Sequence, residues 1–194
     1  MKLILASRSP RRKMLLQKLG LRFDVIPSDV DESQVLDRDP ARLVTRLAEL
    51  KAETVARNVV AKGLLDGALV IGADSMVSLN GEVIGKPRDE EDARRILRFL
   101  SGRAHNVFTG FCVINTDTDE RVCDFEKSEV TVKNLTDEDI SRCLENKVIM
   151  DGAGSYTPEI HGLIFENVEG SYSNVIGLPT ERLIPILRKH GISV

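Results

Sequence analysis

Cysteine is scarce in this 194-residue chain, and the three present, Cys112, Cys123 and Cys143, are separated, odd in number and without a CxxC pair. That pattern argues against a disulfide framework and against a structural zinc site. None of the three pairs in sequence with a histidine and a carboxylate, so a thiol nucleophile is not expected. Excess positive charge is missing too: 27 Lys and Arg stand against 30 Asp and Glu, a net charge of -3. A bulk field that would draw nucleic acid or an anionic membrane is therefore excluded, and any anion site must be local. No apolar run approaches the roughly 18 residues that span a bilayer. The run Leu3 to Ala6 is too short for a signal peptide, and Arg8, Arg11 and Arg12 follow it at once. These absences lead to the expectation of a reducing, cytoplasmic setting, with no membrane and no stable nucleic-acid partner.

What is there reads as alternating strands and helices. Apolar residues make up 42% of the chain and charged residues 29%, enough for a sizeable core in one domain, residues 1–194. "KLILA" (2–6) reads as a buried strand. Ser9 then offers an N-cap, Pro10 an N1 residue, and Gly20 a helix end. "RFDVIP" (22–27) reads as a second strand, followed by the acidic loop "SDVDES" (28–33). Asp39-Pro40 opens a long helix to about residue 62. "ALVIGA" (68–73) reads as a buried strand ending at Asp74, and "MVSLNGEVIG" (76–85) as a hairpin turning at Asn80-Gly81. A helix over 89–100 precedes two long antiparallel strands, 105–114 and 121–132. A capped helix over 135–146, a strand over 162–168 and a last helix from Pro179 to His190 complete the chain. With no repeat, low-complexity tract or long linker, this predicts an α/β fold built on a long mixed sheet. The end of such a sheet forms a ligand cleft.

Several residues in this frame could carry chemistry. Arg11 and Arg12 occupy the first turn of a helix, the wrong end for cations unless an anion offsets the repulsion. Either they are solvated surface charge, or a phosphate meets helix N–H groups and guanidinium forks together. At 100° per residue Lys51 lies within about 20° of Val44 and Val55, in the middle of an apolar stripe. It either snorkels at the domain edge or reaches into a cleft. Asp74, at the end of its strand, reads as a metal ligand or general base, or as an Asx turn. Lys86, before Pro87, reads as a phosphate lysine or a turn lysine. The carboxylates Asp29, Asp31 and Glu32 suit Mg²⁺ or a solvated loop. His105 and Thr109 share one strand face, where a core histidine is the expectation. The loops "MDGAGSYTPEIHG" (150–162) and "GSYSNVIGLP" (170–179) are small-residue rich and allow close backbone approach to a ligand. Taken together, several cations, an acidic loop and an aspartate suit a polyphosphate bound with a divalent metal.

At this point the chain resembles the Maf family of nucleoside triphosphate pyrophosphatases, once named septum-formation inhibitors. Eight ordered stretches carry the resemblance nearly end to end: "LASRSPRR", "DVDE", "RLAELKA", "VIGADSMV", "NGEVIGKPRD", "LSGRAHNVFTG", "DGAGSY" and "GSYSNVIGLP". The resemblance implies hydrolysis between the α- and β-phosphates, giving a monophosphate and pyrophosphate, with Mg²⁺ or Mn²⁺. It implies an elongated mixed sheet with flanking helices in two lobes around a central cleft, as in inosine triphosphate pyrophosphatases, often as a homodimer. By motif match, Arg11, Arg12, Lys51 and Lys86 bind phosphate, and Ser7 and Ser9 line the same loop. Glu32 holds metal. Asp74 is the catalytic carboxylate, on metal or on water. "GSYSNVIGLP" is most similar to the subfamily acting on dTTP, UTP and modified uridine nucleotides. The loop "DGAGSYTPEIHG" departs from that subfamily's "DKAGAYGIQG"-like run. Gly152 replaces a lysine, two residues are inserted, and His161 stands where Gln or Glu is the rule, in the loop expected to border the base. Two other readings compete: a nucleotidyltransferase-like enzyme, which lacks its Gly-rich loop here, and a non-catalytic nucleotide-binding regulator of septum formation.

Overall fold

A computed structural model of the chain describes residues 1–63 and 67–194. Strand β1 (Lys2–Leu5) is apolar and buried except at its first residue. Chain direction reverses through Ser9 and Pro10 into helix α1 (Pro10–Lys18), with the Ser9 side chain accepting from the Arg12 amide. Strand β2 (Asp24–Val25) is only two residues long, shorter than the 22–27 expected. Residues 32–34 form a single 3₁₀ turn capped by Asp31. Asp39 caps helix α2 (Pro40–Ala61) by accepting from the Ala41 and Arg42 amides, as the Asp-Pro start predicts.

Strand β3 (Ala68–Leu79) runs twelve residues without a break. Asp74 therefore lies in mid-strand, not at a strand's end as expected from the sequence. The turn at Asn80-Gly81 leads to β4 (Glu82–Ile84). Helix α3 (Glu90–Leu100) precedes the long hairpin β5 (Ala104–Asn115) and β6 (Arg121–Val132). Helix α4 (Asp137–Glu145) starts with a capping box between Thr136 and Asp139. Residues 147–160 follow as three 3₁₀ turns. The strand expected over 162–168 is split into a short helix, α5 (His161–Ile164), and β7 (Phe165–Glu169). A short helix α6 (Tyr172–Ile176) and the last helix α7 (Thr180–Lys189) close the chain.

The seven strands form one mixed sheet in the order β2-β1-β3-β5-β6-β7, with β4 added to β3. On one edge of β3, β5 pairs without interruption from residue 69 to 78. On the other edge, parallel β1 covers residues 68–71 and antiparallel β4 covers 77–79. Residues 72–76 have no strand neighbour there among the described residues. This gap is where β1 ends, so the cleft opens at the carboxyl end of β1 and beside the middle of β3.

Three apolar clusters build two lobes around that gap. Leu3, Leu5, Leu16, Ile71 and Phe111 pack with α1 and α7 on one face. Ile4, Val70, Cys112 and Ile114 pack under Ala48, Ala52 and Val55 of α2 on the other. Beyond the gap, Val77, Leu79, Leu97, Ile140, Ile160 and Tyr156 form the second lobe's core with α3, α4 and the 3₁₀ turns. Helix α2 approaches the sheet unusually closely. A Cβ at Gly72 would sit 2.2 Å from the Ala48 carbonyl oxygen, and one at Gly110 would sit 2.3 Å from that of Val44. Glycine at these two positions is what lets the helix backbone rest on the sheet.

The cysteines correct one expectation. Cys112 and Cys123 are joined by a disulfide, and only Cys143 is free. The pair lies eleven positions apart in sequence, but the β5–β6 register puts them directly opposite each other. Spacing alone could not show that. No helix among the described residues is long and apolar enough to cross a membrane.

Candidate functional site

The cleft between the lobes has a volume of about 720 Å³ and is lined from both of them. That is within the common range for small-molecule sites, about 300–1,000 Å³. The nine residues that the family resemblance points to line it: Ser7, Ser9, Arg11, Arg12, Glu32, Lys51, Asp74, Lys86 and His161; of the others weighed, Asp29 also lines it and Asp31, His105 and Thr109 do not. Five cationic side chains and four carboxylates line it, so the cleft carries local positive charge in a chain of net charge -3.

One wall comes from α2 and the loop before it. Lys51 is 7% exposed and does not snorkel to solvent. Its Nζ lies 2.6 Å from Asp74 Oδ1 and 2.7 Å from Glu32 Oε1. A buried ammonium is costly unless paired, and here two carboxylates pair it. Gly72 and Asp74 share the sheet face under α2, so the close helix approach at Gly72 also sets the reach of Lys51. Asp74 Oδ2 accepts no hydrogen bond from a described residue, which leaves it free toward the cleft. The acidic loop divides its carboxylates. Glu32 turns in, Asp29 pairs with Arg8 at the rim, and Asp31 is spent on the Ser33 and Gln34 side chains.

The opposite wall comes from α1 and the segment after α6. Arg12 donates from Nε to the Gly177 carbonyl (2.9 Å), from Nη1 to Ser7 Oγ (3.2 Å) and from Nη2 to Ser75 Oγ (3.1 Å). Arg11 donates from Nη2 to the Asp151 carbonyl at 3.0 Å, while its buried Nη1 has no partner among the described residues. Burial pushes the pKa of the Arg12 guanidinium down, and the nearby Asp74 charge pushes it back up. Burial also lowers that of Arg11, against the raising effects of Glu159 and Asp151. Arg11, Arg12 and Lys86 form no ion pair with a described carboxylate. Arg42, Arg88, Arg95, Arg121 and Arg182 all do. Unpaired guanidinium groups beside a helix N-terminus are the arrangement that binds phosphate oxygens.

His161 lies at the far end, 5% exposed, stacked on Phe165 with ring centroids 4.2 Å apart. Its Nδ1 is 2.8 Å from the Tyr172 hydroxyl and its Nε2 has no partner among the described residues. Burial lowers its pKa to about 4, so the ring is neutral at neutral pH. His105 does not belong to the cleft lining. It is 1% exposed and bonds the Tyr156 hydroxyl at 2.8 Å, the core histidine expected from the strand pattern. Sequence reasoning missed Ser75 and the Gly177 carbonyl. The signal for Ser75 was its place next to Asp74, but only β-strand alternation across an open edge shows that it faces Arg12.

A family model described as Maf-like protein matches residues 2–190. The chain belongs to that family. Among curated relatives of this Maf-like protein, the dTTP/UTP pyrophosphatase of Alkaliphilus metalliredigens is 46% identical over 190 residues, covering 97% of this chain and 96% of its own length. The dTTP/UTP pyrophosphatase of Caldicellulosiruptor saccharolyticus is 41% identical over 191 residues, covering 98% and 95%. The solved Ham1 protein of Staphylococcus aureus shares the fold at a TM-score of 0.51 and 16% identity, covering 98% of this chain and all of that one. The two-lobed mixed sheet of this Maf-like protein is thus the architecture that the sequence resemblance implied.

Proposed function

We propose that this Maf-like protein hydrolyses nucleoside triphosphates, dTTP and UTP with modified uridine nucleotides foremost, to the monophosphate and pyrophosphate. The observation that carries the reading is the facing of two walls. Lys51 joins Asp74 to Glu32 on one side, and Arg11, Arg12 and Lys86 stand around the other without a direct ion pair to a described carboxylate. The names of the relatives supply the nucleotide class.

Asp74 and Glu32 both touch one ammonium nitrogen, so their carboxylates converge on a common point. Among the described residues no group of three or more His, Cys, Asp or Glu is placed to hold a metal. Two carboxylates fit Mg²⁺ or Mn²⁺, which take one or two protein carboxylates and complete their shell with phosphate oxygens and water. Glu32 and Asp74 would hold the ion, which when bound neutralises phosphate charge and polarises the phosphorus. Asp74 Oδ2 orients the attacking water and accepts its proton as the water oxygen bonds the α-phosphorus. The bond from that phosphorus to the bridging oxygen breaks, and pyrophosphate leaves. Arg11, Arg12 and Lys86 stabilise the charge that grows on it. Lys51 holds Asp74 in place through their 2.6 Å contact. Ser7 and Ser9 shape the loop that meets the phosphates, and His161 borders the base.

A non-catalytic regulator of septum formation needs no buried Lys51–carboxylate set, and a nucleotidyltransferase uses a Gly-rich loop where this chain has Ala6, Ser7, Arg8 and Ser9. The proposal extends to a homodimer acting in the cytoplasm, which sedimentation and cell fractionation check. The direct test is a nucleotide panel with Mg²⁺, Mn²⁺ or chelator, assayed for pyrophosphate. Metal-dependent release from dTTP and UTP ahead of purine triphosphates is expected. Equal rates on purines and pyrimidines would refute the base preference, and release requiring a sugar phosphate would favour the transferase.

A further inference from the structure

Arg12 uses three of its five N–H groups on neutral acceptors, and these come from three separate segments: Ser7 after β1, Ser75 on β3 and Gly177 after α6. Its charge is therefore fixed in place without being neutralised. Ser75 is itself held. Thr109, fully buried and directly opposite Ser75 on β5, places its Oγ1 2.9 Å from Ser75 Oγ and 3.0 Å from the Asn174 carbonyl oxygen. Thr109 has one hydroxyl hydrogen to offer to Ser75 Oγ or to the Asn174 carbonyl. The Ser75 hydrogen points to the Gly177 carbonyl at 3.4 Å. A Ser75 lone pair is thus turned to Arg12 Nη2. Asn174 closes the chain: it is fully buried, and its Nδ2 donates to the Val107 carbonyl (3.1 Å) and to Ser128 Oγ (2.9 Å).

We propose that Ser75 and Thr109 are positioning residues that aim Arg12 at the phosphates, through hydrogen bonds anchored in β5, β6 and α6. The inference rests on the pyrophosphatase reading of the same cleft and deepens it. The two unspent N–H groups of Arg12, one on each Nη, match two oxygens of one phosphate group. Losing a hydrogen bond to this charged group costs about tenfold in affinity for whatever it holds.

The test compares wild type with Ser75→Ala, Ser75→Thr, Arg12→Lys and the Arg12→Lys/Ser75→Ala pair. Inhibition by inorganic pyrophosphate, KM and kcat for dTTP, and thermal midpoint are measured for each. Ser75→Ala should raise KM and the pyrophosphate inhibition constant together by about tenfold, and lower kcat as well, because Arg12 also stabilises the leaving pyrophosphate. Ser75→Thr, which keeps the hydroxyl, should restore both. In the Arg12→Lys background the alanine should have no further effect, because an ammonium cannot use the fork. Equal effects in both backgrounds, or a lowered thermal midpoint with unchanged constants, would overturn the proposal. A wild-type protein that binds pyrophosphate with this same pattern yet hydrolyses no triphosphate would sink the pyrophosphatase reading and leave the positioning role standing.

Discussion

Replacing Gly72 by alanine perturbs the site without touching any residue that faces the cleft. The new Cβ would sit 2.2 Å from the Ala48 carbonyl oxygen, 2.7 Å from the Ala52 nitrogen and 2.9 Å from the Ala52 Cβ. Both near atoms are backbone, so no side chain can swing aside. Ordinary non-bonded contact needs about 3.5 Å, so α2 must withdraw by about 1 Å. Lys51 precedes Ala52 on that helix, and its Nζ now sits at 2.6 Å from Asp74. A displacement of about 1 Å at a catalytic group costs on the order of a hundredfold in rate. Overpacking of this kind costs roughly 1–3 kcal/mol, about 3–10 °C in thermal midpoint for a chain of this size. Steady-state hydrolysis of dTTP well below the midpoint, beside a thermal scan, separates the two effects. Activity within about threefold of wild type in a protein of normal stability would refute the claim that helix approach at Gly72 sets the reach of Lys51.

Other substitutions probe the charges. Lys51→Met keeps the apolar stem but leaves Glu32 and Asp74 facing each other, and a loss of roughly 3 kcal/mol is expected. That is the low end for a broken buried pair, because the Glu32 side chain is 55% exposed; a urea titration measures it, and no loss would show that the ammonium is not the glue of that wall. His105 and His161, both held near pKa 4 by burial, bind no proton in the folded chain between pH 4 and about 6.5, whereas the unfolded chain does. Stability is therefore full above about pH 6.5 and falls as pH drops toward 4. Asp37 and Asp92, held near 2 by hydrogen bonds from Arg42 and from Arg88 and Arg95, keep their contribution through that window and lose it only below about pH 4. A urea midpoint that stays level from pH 7 to pH 5 would contradict this.

Much of the frame was legible in the sequence because its punctuation is local. Ser9-Pro10, Asp39-Pro40 and Asn80-Gly81 each act within four residues, and each marks the boundary where it was expected. Non-local features were not legible. The extent of β3 depends on β5 pairing along it, so Asp74 read as a strand end although it lies in mid-strand. Two-residue β2 is held only by its neighbour β1. The Cys112–Cys123 bond follows from hairpin register. The turns over 147–160 owe their shape to packing against α3 and β3 and carry no periodic pattern. The nine site residues came from charge placed where it is costly, at a helix start or on an apolar stripe, and from motif order. Ser75 and Thr109 carry no charge, and their part emerges only when the sheet sets them side by side.

The central claim is that Asp74 activates the water that cleaves the triphosphate. Asp74→Asn keeps the shape and a hydrogen-bond acceptor for Lys51 but removes the base. The deciding measurement is product formation from dTTP and Mg²⁺ by wild type and Asp74→Asn, with folding checked by circular dichroism. Wild type should give dTMP and pyrophosphate in equal amounts, and the folded variant should lose at least about a hundredfold in turnover. Unchanged turnover in the variant, or phosphate in place of pyrophosphate from wild type, would contradict the account.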